Sequence, residues 1–510
     1  MKKVIALVLA LIMLFAVVGC GKKKAEVKDT LNIAFSQDQG TLDAHYLNTY
    51  DIFNGIRMIY EPLWDYNTDG TINWVLATGI DYISDTVWHI HLREGVKFEN
   101  GNEFTADDVV FTLDKANHRE GLTEFLPELD LENTKALDKY TVEFVLYHYD
   151  FSYMMGMCKL VMYDKESYNA DTVAMQPMGT GPYKMESYTV NSHLNLVRRD
   201  DYWGEKPAIK YLNMNFYAED AQKTNALQTG AVDICAVPFQ DIEFVQGLED
   251  YKVNLYDEVR ARALFFNISE SGFFHENVDA RKAVCLALDR AAMCELAYGG
   301  YASSPNLPIS EGSLDCTPDL LGLGIYGEEM NVEEAKKLAE SSGLAGQTLE
   351  LATVNSSADI VCAQIIERNL AEIGVKVNIN IYDFGTWIIK VYDETEIGDM
   401  YLNFTGTPSK TLAQSQSCWY WYALDGAFMR NPFPGDKEYD AAADGIMAIR
   451  DEAERHDRNM VMAKVNSEAL LWYALTDTKL ATGYAKDLMG YEEKYVGGLD
   501  FAKMYWAPAK

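Results

Sequence analysis

Basic residues are scarce in this chain. Its 510 residues carry 44 Lys and Arg against 77 Asp and Glu, a formal net charge of −33. A surface of that sign repels phosphate backbones and argues against a nucleic-acid partner. It serves solubility, and it leaves room for a mild preference for cationic ligands. CxxC pairs are missing too, which removes zinc knuckles and thioredoxin-like redox sites. No apolar run reaches the roughly 20 residues that a membrane helix needs; Val4 to Val18 is too short to span a bilayer comfortably. HExxH, GxSxG and GxxxxGKS/T are absent, so no catalytic arrangement stands out and no cofactor is expected. Neither internal repeats nor low-complexity tracts occur. What remains is globular material. Hydrophobic residues make up 48% and aromatic residues 12%, and the length exceeds one compact core, so two or three domains are expected.

The amino terminus reads as a secretion signal: Lys2-Lys3, the apolar run, then Val17-Val18-Gly19-Cys20. That ending resembles a bacterial lipobox, although Val17 and Val18 depart from its usual Leu-Ala or Leu-Ser. The resemblance implies cleavage after Gly19 and a lipid on Cys20. Residues 20–30, rich in lysine, would form a solvated tether against anionic headgroups. With Cys20 used, seven of the eight cysteines remain, an odd number that leaves at least one unpaired or paired between molecules. Cys285 and Cys294, on opposite sides of one predicted helix over Asp279 to Tyr298, should not pair.

The most informative stretch is Thr86 to Lys115, TVWHIHLREGVKFENGNEFTADDVVFTLDK. Alternation puts Trp88, Ile90 and Leu92 on one strand face and Val87, His89 and His91 on the other. Two histidines at that spacing can hold a metal, but more often face solvent or a neighbouring strand; no metal site is assigned. Asn100-Gly101 forms a tight turn. Thr105 is placed to cap a helix that Asp107 and Asp108 favour, with Val109, Val110 and Leu113 as its buried stripe.

As wording, W-x-I-x-L-R-x-G-V-K-F-x-N-G-x-x-F-T-A-D-D-V-V-F-T resembles the signature of extracytoplasmic solute-binding proteins of peptide- and nickel-type ABC importers. Further pieces resemble the same family: Thr41-Leu-Asp-Ala-His45, Glu61-Pro-Leu63, Gly179-Thr-Gly-Pro-Tyr183, Tyr202-Trp-Gly204, Gln228 to Ile234, and Leu264-Phe-Phe-Asn267. The likeness runs from about Leu31 to about Gly490 and is weakest over Thr395 to Asp436. It implies an α/β, two-lobed periplasmic-binding-protein fold of type II, with an extra inserted domain and two crossover hinge strands. Carried over, lobe I comprises 31–60, 179–262 and 476–510, the inserted domain 61–178, and lobe II 263–475. The crossovers fall near Ala261 to Ser269 and Trp472 to Lys479.

The resemblance places a ligand between the lobes. Asn48 and Tyr50 follow the Thr41-to-His45 motif into the cleft. Asn267 either hydrogen-bonds a ligand or satisfies its own strand junction. Thr405 lies in Asp399 to Ser409, where peptide-binding relatives carry an aspartate that pairs with the peptide's amino terminus. Here no acid occurs between Asp399 and Asp425, which departs from that pattern. Cys418 to Tyr422 then offers Trp419 and Trp421 on one side and Tyr420 and Tyr422 on the other, one pair for packing and the other for stacking on cargo. Trp387, at the end of a strand over Val375 to Ile381, is a further candidate.

The function implied is a monomeric, lipid-anchored receptor outside the cell membrane. It would bind a peptide or peptide-like solute and deliver it to an ABC permease without altering it. Other cargoes (a metal chelate, an oligosaccharide), a sensory receptor and a secreted hydrolase remain as alternatives.

Overall fold

The computed structural model describes residues 28–508 apart from 37, 46–49, 68–70, 118–128, 151–152, 308, 311–315, 324–329, 393–396, 406–436 and 493–497. Its backbone is one 11-stranded mixed sheet. The strands are ordered Lys376–Tyr382, Thr348–Val354, Met400–Thr405, Tyr251–Phe266, Trp472–Ala485, Ile234–Ala236, Thr30–Phe35, Tyr211–Phe216, His193–Arg198 and Tyr183–Thr189, with the short strand Ala302–Ser303 also on Trp472–Ala485. The two longest strands, 16 and 14 residues, sit in the middle. They pair antiparallel from Tyr251↔Ala485 to Phe265↔Trp472 and so belong to both halves of the sheet.

Buried side chains gather on either side of these strands. One core runs from Ala263 to Leu475. A second combines Leu31 to Tyr60 with Leu194, Leu212 and the carboxy-terminal Phe501, Met504 and Trp506. A third, from Leu63 to Met162, surrounds a separate four-stranded sheet of Ala77–Tyr82, Val87–Leu92, Thr141–Val145 and Lys135–Asp138. The fourth is smaller and packs Leu227, Ile242 and Val245 on Ala34 and Ala481. Two lobes and an inserted domain joined by paired crossover strands are the type II binding-protein fold.

Local chemistry explains most elements. In Val87–Leu92, Trp88, Ile90 and Leu92 are buried, and Trp88 stacks on Phe144 with centroids 6.0 Å apart. On the opposite face His89 meets Glu143 at 3.2 Å and His91 meets Asp81 at 2.8 Å. Gly101 takes a φ of +93° in its turn. The cap of the following helix, Ala106–Asn117, differs from expectation. Thr105 donates both its backbone N–H (2.8 Å) and its hydroxyl (3.0 Å) to the Asp108 carboxylate. Asp108 therefore closes the helix start from inside its first turn, the back-reaching half of a capping box. Val109 and Leu113 are buried as expected, whereas Val110 is half-buried.

The single helix expected over Asp279 to Tyr298 is two, Val278–Ala287 and Arg290–Tyr298. Leu288 is extended, and the Asp289 side chain accepts from the Ala292 N–H to start the second. Cys285 and Cys294 sit on different helices, and neither they nor the other described cysteines are joined in a disulfide. Trp387 lies on the helix Phe384–Tyr392, not at a strand end.

The family-like motifs build the joint between the inserted domain and lobe I. Gly179 and Gly181 pass so close to the end of helix Tyr50–Ile59 that a Cβ on either would meet the Ile59 carbonyl oxygen at 2.1 and 2.6 Å. Arg199, buried beside them, donates to the carbonyls of Gly179, Gly181, Lys97 and Phe98. Glu61 accepts from Tyr202 Oη at 2.6 Å and Trp203 Nε1 at 2.9 Å. Burial pushes its carboxyl above the usual range, against these hydrogen bonds.

Candidate functional site: the gap between the lobes

Strand direction locates the site. In one half, Thr30–Phe35 runs parallel to Tyr211–Phe216 and Ile234–Ala236, and the last of these pairs with Trp472–Ala485 so that its carboxyl end points toward the crossover. In the other, Thr348–Val354 runs parallel to Lys376–Tyr382 and Met400–Thr405, and Thr405 reaches Ala261 at the middle of the first long strand. The parallel strands of both lobes thus end facing the same gap. Ligands of open α/β sheets bind outside such carboxyl ends.

The expected ligand residues do not all fall at those ends. Asn48, Trp419 and Trp421 lie outside the described residues, as does Cys20. Tyr50 is the first residue of helix Tyr50–Ile59, and its side chain is outside the described set. Thr405 closes its strand, is buried, and donates its hydroxyl to the Ala261 carbonyl at 3.2 Å. Asn267 is engaged in the strand junction: its Nδ2 donates to the Gly398 carbonyl at 2.8 Å and its Oδ1 accepts from the Ser269 N–H at 3.1 Å. Trp387 is 4% exposed and belongs to the hydrophobic core of lobe II. The structure therefore brings Thr405 to the crossover and puts Trp387 in the hydrophobic interior.

The crossover holds a polar cluster that the sequence reading passed over. The ladder between the long strands breaks between Asp257 and Ala261, and the bulge turns Glu258 and Arg260 out of register. Glu258 accepts from the Thr478 hydroxyl and from Arg260 Nη2 (2.6 Å). The guanidinium carbons of Arg260 and Arg262 lie 3.7 and 3.5 Å from the centroid of the Phe404 ring, within cation–π range. Arg262 pairs with Asp359 at 2.9 Å, both buried. Burial opposes the Arg262 charge, but Asp359 together with Tyr298 and Glu258 outweighs it, so the guanidinium is held above its ordinary pKa. Burial pushes Asp359 upward while Arg262 pulls the other way. The pattern Arg260-Ala-Arg262 inside an apolar strand was the available signal, since charge in such a run demands a partner.

Among the described residues no group of three or more His, Cys, Asp or Glu is placed to hold a metal. No described helix is long and apolar enough to cross a membrane. A small pocket lined by Tyr60, Tyr163, Asp164 and Gln176 lies beside the lobe I joint. The Asp164 carboxylate there is already taken by Asn100, Asn102 and Ser167.

Lobes hinged on two strands, with strand ends converging on the gap, define a binding protein that holds its ligand between domains. The profile of the bacterial extracellular solute-binding proteins, family 5 (middle region), matches residues 72–428, and the chain belongs to that family. It is similar to the nickel-binding protein NikA of Staphylococcus aureus, 23% identical over 72% of each chain. It is also similar to the di/tripeptide-binding protein 2 of Pseudomonas aeruginosa, 22% identical over 97% of this chain and 98% of that one. Among solved structures, the agropinic acid complex of AgaA from A. tumefaciens R10 superposes with a TM-score of 0.80 at 22% identity, covering 94% and 99% of the two chains. The oligopeptide-binding AppA of Bacillus subtilis with a nonapeptide gives 0.80 at 17% identity, covering 94% and 100%.

Proposed function

We propose that the protein is a lipid-anchored receptor of an ABC importer that captures a peptide or peptide-like solute between its lobes and passes it to the membrane permease. The observation that carries this reading is the convergence of both lobes' parallel strands on a gap bridged by two long strands. Relatives named for di/tripeptides and glutathione support the cargo class. In this reading lobe I is 31–60, 179–262 and 476–510, the inserted domain 61–178, and lobe II 263–475. Asn48, Tyr50, Trp419 and Trp421 contact cargo from the segments that leave the strand ends, and Cys20 carries the lipid. The ligand touches both lobes only when they close, and so favours the closed pose. No bond of the cargo is made or broken.

Mass spectrometry of the solute carried through native purification tests this directly. A peptide or peptide-like compound recovered unaltered is expected; a solute transformed on incubation would mean an enzyme instead. Cys20→Ser should move the protein from membranes to the soluble fraction. A non-peptide cargo is the second reading, favoured by relatives named for nickel and for agropinic acid.

A further inference from the structure

Beside the second crossover strand, Trp472–Ala485, the two lobes exchange aromatic rings. From lobe I comes Phe239, which opens the short 3-10 turn Phe239–Asp241 after strand Ile234–Ala236. Its backbone is fixed from the lobe I side. The Val237 N–H donates to the Ala481 carbonyl at 2.8 Å, and the Thr224 hydroxyl donates to the Asp241 carboxylate at 2.6 Å. The half-buried ring nevertheless packs on the core of lobe II as well as on the small lobe I core around Leu227 and Val245. Among the described residues no other hydrophobic side chain joins these two cores. There it meets the Tyr298 ring edge to face, with centroids 5.1 Å apart and planes at 78°, a geometry that aromatic pairs favour. From lobe II comes Tyr301, just past the end of helix Arg290–Tyr298, and it packs on the lobe I core in return. The Lys479 N–H donates to its carbonyl at 3.1 Å, and the next two residues, Ala302–Ser303, pair with Thr478 and Asp477 of the crossover strand. The crossover is weakest at this level. Glu258, Val259 and Arg260 stand against Thr478 alone, between the pairs Asp257↔Lys479 and Ala261↔Asp477, and strands bend at such bulges.

We propose that the rings of Phe239, Tyr298 and Tyr301 form a splint beside this bulge that holds the lobes in the pose seen here, a control on the solute-binding closure read above, on which it rests. Rotating one lobe against the other about the bulge slides Phe239 off Tyr298, because each ring is fixed to its own lobe. A gap of about 0.5–1 Å already forfeits about a quarter to a half of a dispersion contact, so packed interfaces switch between arrangements instead of deforming smoothly. The same pose brings Arg450 of lobe II to Asp85 of the inserted domain at 2.7 Å. The splint and that ion pair therefore favour one closed arrangement from two places. They differ in chemistry: salt screens the exposed charges, whereas apolar ring packing keeps its worth. Cargo affinity follows the closed population, so the rings tune capture without touching the solute.

Small-angle scattering of the ligand-free protein, fitted as a mixture of open and closed forms, tests this. Phe239→Ala should raise the open-to-closed ratio about 2- to 13-fold, and Phe239→Leu should raise it less. Both shifts should persist in about 1 M salt. Tyr301→Leu, on the other lobe, should act in the same direction, and it decides the matter if Phe239→Ala folds poorly. Ring variants that melt at a lower temperature but scatter like the parent show packing without control of the pose, and a shift toward the closed form shows rings that hold the lobes apart; either overturns the inference. Opening by Arg450→Ala with none from the ring variants overturns it too, and leaves the hinged lobes standing. Parent, ring variants and Arg450→Ala all scattering as one unchanging body would overturn the solute-binding closure as well.

Discussion

Arg262 and Asp359 meet where the first crossover strand passes under the start of helix Ser357–Glu372. Both are buried, Asp359 completely, so each charge depends largely on the other. Removing one partner strands the second in a low-dielectric interior, which typically costs about 3–5 kcal/mol. Arg262→Met should lower the unfolding free energy by that order in urea melts; a variant as stable as the parent would show that the pair is not what holds this junction. Glu61 poses the converse problem. Its carboxylate is buried among hydrogen-bond donors, and burial raises its pKa above the ordinary 4.5. Between the unfolded and folded values the native state binds more protons, so this group's contribution is fully present below about 4.5 and is lost as pH rises through the folded pKa. Stability of the parent relative to Glu61→Gln should therefore increase as pH falls from 7 toward 5. Thermal melts of the two proteins across that range check the sign, and parallel curves would mean that Glu61 titrates normally.

At the level of elements, the joint between lobe I and the inserted domain depends on backbone contact. A methyl at residue 181 would meet the Met58 carbonyl oxygen at 2.5 Å and the Ile59 oxygen at 2.6 Å, both backbone atoms that cannot swing aside. Overpacking of this kind costs about 1–3 kcal/mol, so Gly181→Ala should lower the melting temperature by several degrees, as calorimetry would show. The glycines were legible in the sequence because the motif was; their partner, 120 residues earlier in the chain, was not. The same division holds elsewhere. Val87–Leu92 announces its buried face by strict alternation. Helix Val332–Ser341 shows its cap in the sequence, with Asn331 accepting from the Glu334 N–H. The strand Tyr251–Phe266 does not announce itself, because Asp257-Glu258-Val259-Arg260 interrupts its pattern with charge. Its length comes from pairing with Trp472–Ala485, a contact that no local window contains. Trp387 was expected at a strand end for a related reason, and the helix Phe384–Tyr392 carries it into the core of lobe II. The Asp289 cap was present in the sequence but hidden by the alanines on both sides of it.

Across the whole molecule, a contact between distant parts bears on how the lobes close. Arg450, just before the lobe II helix Glu452–Ala469, reaches the inserted domain, pairing with Asp85 at 2.7 Å. Its guanidinium carbon also lies 4.1 Å from the centroid of the Tyr149 ring. Asp85 sits in the turn between Ala77–Tyr82 and Val87–Leu92, and Tyr149 follows Thr141–Val145, so a single side chain touches two loops of the opposing body. The pair is well exposed, and such pairs contribute only about 0.2–1 kcal/mol. A contact that exists only while lobe II and the inserted domain are together shifts the open–closed ratio by its full worth, however, which is about 1.4- to 5-fold in population. Arg450→Ala should therefore increase the open fraction of the ligand-free protein in small-angle scattering. It should also weaken cargo binding by the same modest factor, mostly through faster release. High salt should produce much of the same change in the parent and little in the variant, because screening acts on the charge that the substitution removes. Equal open fractions in parent and variant at low salt would show that the Asp85 contact follows closure without influencing it.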